Sequence, residues 1–140
     1  MNHDQDFYQW AMNSAQQLRA GHFADLDLMR IAEEIEDMGR SEKHALASHL
    51  RVLMLHLLKW RYQPALRSVS WRLSITNARD DIAELLEDNL SLHHQLPEMV
   101  MRRYPAARQG AILETGLSAA TFPIDCPFTI AQLLDSEYWL

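Results

Sequence analysis

Residues 46–60 read LASHLRVLMLHLLKW. Leu46, Leu50, Leu53 and Leu57 recur at steps of four, three and four, the repeat of one face of an α-helix. Val52, Met54, Leu55 and Leu58 fill the remaining sides. A helix that is apolar all round belongs in the centre of a fold, covered by others. The pattern predicts a helix over residues 42–62. Pro64 stops it, and the proline ring pushes Gln63 out of the α region.

The same helical period extends in both directions. Upstream, Phe7, Ala11, Ala15 and Leu18 form a stripe over residues 6–20, with Asp4 or Asp6 as cap and Gly21 at the C′ position. Leu28, Ile31, Ala32, Ile35 and Met38 form a second stripe behind Asp27, a natural N-cap. Gly39 and Ser41 then interrupt the pattern. Either Ser41 caps a new helix or Gly39 kinks one long helix. Downstream, Ser70 is taken as the N-cap of a helix carrying Trp71, Ile75, Ala78, Ile82 and Leu85, a bundle seam ending near Asp88 and Asn89. Leu96, Val100, Tyr104, Ala107 and Ala111 mark a further helix that ends at Gly116. Pro97 is tolerated in its first turn, and Pro105 predicts a kink. Residues 117–140 read as loops and one short helix after Thr129. There Phe122, Phe128, Tyr138 and Trp139 are too apolar for a tail in water and predict an arm stapled across the bundle.

The fold class expected is therefore all-α: an up-and-down bundle of four to five helices with a C-terminal arm packed across it. The length of 140 residues suits a single domain over residues 1–140. Only four glycines and five prolines argue against a β fold, which needs turn residues throughout. A formal net charge of −6 disfavours a protein that coats nucleic acid, though a local basic patch can still bind one. Cys126 is the one cysteine, so no internal disulfide can form. The start, from Met1 to Asp6, is polar and acidic and does not read as a signal peptide. The near-continuous apolar run over residues 52–58 is far short of the roughly 20 residues a membrane span requires. The expected compartment is the cytoplasm, with no membrane association.

Several local patterns occur in a familiar order: Asp6-Phe7-Tyr8-Gln9-Trp10, Leu18-Arg19-Ala20-Gly21, and Leu26-Asp27-Leu28 leading into Ala32-Glu33-Glu34-Ile35-Glu36-Asp37-Met38-Gly39. They continue through His56-Leu57-Leu58-Lys59-Trp60, Tyr62-Gln63-Pro64, Ser70-Trp71-Arg72, Phe122-Pro123 and Cys126-Pro127. Together they resemble the bacterial domain-of-unknown-function family 29, common in cyanobacteria and proteobacteria. The resemblance covers nearly the whole chain and implies a helical protein of this length. It carries no established activity, substrate or catalytic residue. Pro105 departs from the family's pattern, in which the helix continues past the tyrosine.

Three constellations could carry function. First, charge is segregated. From Asp25 to Glu42 there are seven carboxylates against Arg30 and Arg40, whereas residues 43–79 hold seven lysines and arginines and no carboxylate. Acidic and basic helices pairing within the fold, or across a dimer, account for this most simply. The functional alternative is an anion or nucleic-acid site from Lys59, Trp60, Arg61, Tyr62, Arg67, Trp71 and Arg72. Cations there would attract phosphate and aromatic faces would stack bases, and the helix start near Trp71 would add anion affinity. Second, Glu34 with His49 and His56 is a conceivable metal set of an enzyme, but no Glu-x-x-His or His-x-x-x-His spacing supports it. A histidine fixed by a carboxylate explains the same residues. Third, Cys126 lies between Asp125 and Pro127, neighbours that do nothing to activate a thiolate. No phosphate loop, nucleophile elbow or metalloprotease motif is present, and no cofactor is implied. The reading that absorbs most of this is a non-enzymatic interaction protein, a homo-oligomer or the binder of a protein partner.

Overall fold

The computed structural model describes residues 6–139. It is 79% helical, and no strand occurs among the described residues. The five helices are α1 (Phe7–Ala20), α2 (Leu28–Tyr62), α3 (Val69–Asp88), α4 (Leu96–Thr115) and α5 (Ile130–Leu134). Short 3₁₀ segments lie at Pro64–Leu66, Leu90–Gln95 and Ala119–Thr121, between the helices that follow α1. The chain divides into two compact units, Met1–Ser41 and Glu42–Leu140.

In the first unit, Asp6 caps α1 by accepting from the Gln9 amide at 2.9 Å. Asp4, the other candidate cap, lies outside the described residues. Gly21 ends α1 at φ 76°, where a side chain would be strained, and the His22 amide closes the turn on the Gln17 carbonyl at 2.9 Å. Asp27 caps α2 as expected, accepting from the Arg30 amide at 3.0 Å. Gly39 neither breaks nor restarts the helix: α2 is one element of 35 residues. A single glycine costs about 1 kcal/mol in a helix, too little to end one whose flanks are helical on both sides.

The second unit holds the core. Leu46, Leu50, Leu53 and Leu57 are at most 1% exposed, and each such leucine contributes about 1.5–3 kcal/mol on burial. Met54, Leu55 and Leu58 are buried as well, so the middle of this helix is covered on nearly all sides. From α3 come Ile75, Ala78, Ile82 and Leu86, and from α4 Leu96, Met99, Val100, Tyr104, Ala107 and Ala111. The cap of α3 is Ser68, not Ser70. Its hydroxyl accepts from the Trp71 amide at 3.2 Å, which places the helix start at Val69. Pro105 removes one hydrogen bond without disturbing the seam, since Ala107 and Ala111 beyond it are fully buried. The carbonyl it leaves unbonded belongs to Met101, an exposed residue that water can serve. Gly110 allows α4 to approach α2, because a β-carbon there would lie 2.5 Å from Leu55 Cδ1.

The C-terminal arm packs on this core. Phe122 and Phe128 are buried, and Tyr138 and Trp139 are half-buried against the cluster. Thr129 opens α5 with a reciprocal capping box to Gln132.

Candidate functional site

The basic and aromatic residues of the α2–α3 junction are brought together, but largely onto one another. Trp60 is 7% exposed. The Arg67 guanidinium lies 4.7 Å from its ring centre and that of Arg72 lies 6.0 Å away. Arg67 also donates from Nε to the Trp60 carbonyl at 2.8 Å. Trp139, from the arm, packs on Trp60 at 5.0 Å. Tyr62 meets Phe122 edge-on at 5.2 Å and carries the Arg61 guanidinium at 5.4 Å. Lys59 is buried to 8% exposure. Its Nζ donates to Glu114 at 3.0 Å and sits 4.7 Å from the Trp71 ring. The cation–π contacts that a ligand would have used are thus made internally.

Two members of this assembly could not be anticipated from local sequence. Glu114 neutralises Lys59 from α4, across 55 positions of chain. Arg79, on α3, is 6% exposed and donates to the Leu133 and Gln132 carbonyls at 3.0 and 3.1 Å. It thereby ties down the C-terminal end of α5, where unpaired carbonyls attract cations. Its guanidinium stands 5.7 Å from Trp139. Burial lowers the pKa of Arg79, and Asp135 and Tyr138 offset part of that.

Each metal candidate has a neighbour of its own. Glu34 pairs with Arg30 at 3.0 Å within the first unit. In the second, His49 faces Asp81 at 3.7 Å and His56 bonds through Nδ1 to the Val52 carbonyl at 2.8 Å. Among the described residues no group of three or more His, Cys, Asp or Glu side chains is placed to hold an ion. Cys126 is half-buried, with Sγ 3.9 Å from Met54 Sδ, and burial pushes its thiol pKa up.

The most unexpected surface lies in the first unit. Its helices carry the apolar stripes that a bundle would bury, yet Phe7 is 50%, Leu28 57%, Ile35 62% and Met38 68% exposed. Only Ser14 is buried among the described residues of this unit. At about 100° per residue, Leu28, Ile31, Ile35 and Met38 lie on one side of the helix, as Leu46, Leu50, Leu53 and Leu57 do further along it. In the second unit the leucine period of α2 is packed, whereas in the first Leu28, Ile35 and Met38 are exposed and Ile31 is half-buried. Trp10 is held between Phe7 at 5.6 Å and the Arg30 guanidinium at 5.6 Å. Beside it, a cleft lined by Trp10, Asn13, Ser14 and Gln17 offers only amides and a hydroxyl besides the acidic loop residues Asp25 and Asp27.

The described residues thus form an all-α structure whose basic cluster is packed on its own aromatic rings and whose N-terminal unit exposes apolar side chains. The chain belongs to the family described as "Domain of unknown function DUF29", whose model matches residues 3–139. No curated protein and no solved structure matches it. No helix among the described residues is long and apolar enough to cross a membrane.

Proposed function

We propose that this protein is a non-enzymatic interaction module that self-associates through the apolar stripe of its N-terminal unit. The observation that carries the reading is the exposure of Leu28, Ile35 and Met38, each more than half open on a regular helix. Scattered exposed leucines are ordinary, but a periodic stripe marks a surface that another helix covers. What favours this over the nucleic-acid reading is the state of Trp60, Tyr62 and Trp71, whose rings already pack against arginine, lysine or phenylalanine. The acidic balance and lone cysteine fit a cytoplasmic setting.

Solution mass at micromolar concentration tests the proposal. The wild-type chain should run as a dimer or larger, and Ile35→Glu should shift it to monomer with unchanged helicity. A wild-type monomer at these concentrations would remove the reading.

A further inference from the structure

None of Leu28, Ile35 and Met38 lines the cleft beside Trp10, so its chemistry is separate from that of the stripe. The cleft measures about 310 Å³, at the lower end of the range for small-molecule sites. Trp10, Asn13, Ser14 and Gln17 line it from α1, where steps of three, one and three keep them on one face. Asp25, Leu26 and Asp27 complete it from the loop before α2. All of these residues belong to the Met1–Ser41 unit.

The polar groups here are largely unspent. Ser14 is 9% exposed, yet its hydroxyl makes no hydrogen bond among the described residues. That hydroxyl is not sealed in the interior, and it opens on the cleft the residue lines. The side chains of Asn13, Gln17 and Asp25 likewise bond to no other described residue. Asp27 uses Oδ1 to cap α2 and keeps its second oxygen. Among the described residues no lysine, arginine or histidine lines the cleft. Arg30, over the Trp10 ring, is paired with Glu34.

Acceptors and negative charge therefore predominate, which selects a cationic ligand rich in N–H donors. An ammonium group donates three hydrogen bonds and is drawn to carboxylates and to indole faces. A bare metal ion would gain nothing from Trp10 and Leu26, which offer it no side-chain oxygen. Shape narrows the class further. A second hollow of about 300 Å³, lined by Asn13, Gln16, Gln17, Ala20 and His22, meets the first at Asn13 and Gln17. From Trp10 to Ala20 the two follow α1 for roughly 15 Å, the rise of a helix over that stretch. A linear molecule suits such a trough.

We infer that this trough binds a linear aliphatic polyamine. One ammonium group is held by Asp25, Asp27 and the Ser14 hydroxyl, and the chain lies along α1 past Asn13 and Gln17.

Isothermal titration calorimetry of the full chain with spermidine tests this. One site per chain is expected. Asp25→Asn should weaken binding about tenfold or more, the worth of a hydrogen bond to a charged group, and Ser14→Ala about threefold. Both variants should keep wild-type helicity by circular dichroism, since Asp25 is exposed in a turn and alanine suits a helix. Glu36→Gln removes the same charge from α2 outside the trough and should bind as wild type does. If Glu36→Gln weakens binding as much as Asp25→Asn, spermidine follows net charge alone and the site is overturned. Unchanged affinity in Ser14→Ala places the ligand outside the cleft and overturns it as well. So does an absence of binding at millimolar spermidine.

Discussion

At the scale of single residues, polar groups here mostly serve to hold the arm. Tyr104 is 2% exposed and donates its hydroxyl to the Pro123 carbonyl. Arg108 reaches the Phe122 and Ala119 carbonyls at 3.3 and 2.7 Å. Between them these side chains fasten the segment that carries Phe122 into the core. Burial pushes the Tyr104 pKa up to about 12, with Cys126 adding to the rise and Arg108 opposing it. An unfolded tyrosine titrates near 10, so the folded state favours the neutral phenol. That stabilisation is fully present below about pH 10 and is lost as pH rises through the folded pKa. Tyr104→Phe should therefore cost about 1 kcal/mol near neutral pH, the usual worth of such a hydrogen bond. The gap between wild type and variant should shrink in alkali. Urea midpoints for both proteins at about pH 7 and about pH 11 measure it, and a gap that stays constant would place the alkaline loss elsewhere.

At the scale of elements, caps and periods could be read from sequence, and coverage could not. Gly21, Gly116, Asp27 and Thr129 act where their chemistry predicts. The α3 face was legible because Ile75, Ala78 and Ile82 keep a bundle spacing, and all three are buried. Its start was misplaced by two residues, since Ser68 and Ser70 are equally good caps and only the Trp71 amide distinguishes them. Periodicity reports which side of a helix is apolar, not whether anything packs there, so the exposure of Leu28, Ile35 and Met38 could not be read from their spacing. The basic cluster was legible as a set of residues, but the partners of Lys59 and Trp60 were not, because Glu114 and Trp139 arrive from distant chain. The undecided break at Gly39 became an uninterrupted helix, and this yields a prediction. Nothing lies within 4 Å of a β-carbon built at Gly39, so alanine there removes backbone entropy from the unfolded chain without a clash. Gly39→Ala should gain roughly 0.5–1 kcal/mol of local helix stability. Amide exchange around residues 33–41 should slow by about two- to fivefold, which is that energy expressed as an equilibrium constant. Faster exchange would mean the glycine relieves a crowding absent from this structure.

At the scale of the whole molecule, burial is divided unevenly. Every buried apolar residue among those described, from Leu46 to Leu133, belongs to the Glu42–Leu140 unit. The core and the proposed association surface therefore lie in different parts of the chain. A fragment of residues 41–140 keeps this core, and Ser41 remains to cap the shortened α2. It should unfold cooperatively in urea at a midpoint independent of protein concentration. The full chain should differ in one respect. A partner that binds only the folded state adds stability by mass action, so its midpoint should rise as protein concentration rises. Ile35→Glu should abolish that rise while leaving the midpoint close to the fragment's. A fragment that melts without cooperativity would show that the N-terminal unit contributes to folding after all, and the bare stripe would then need cover from its own chain before any partner.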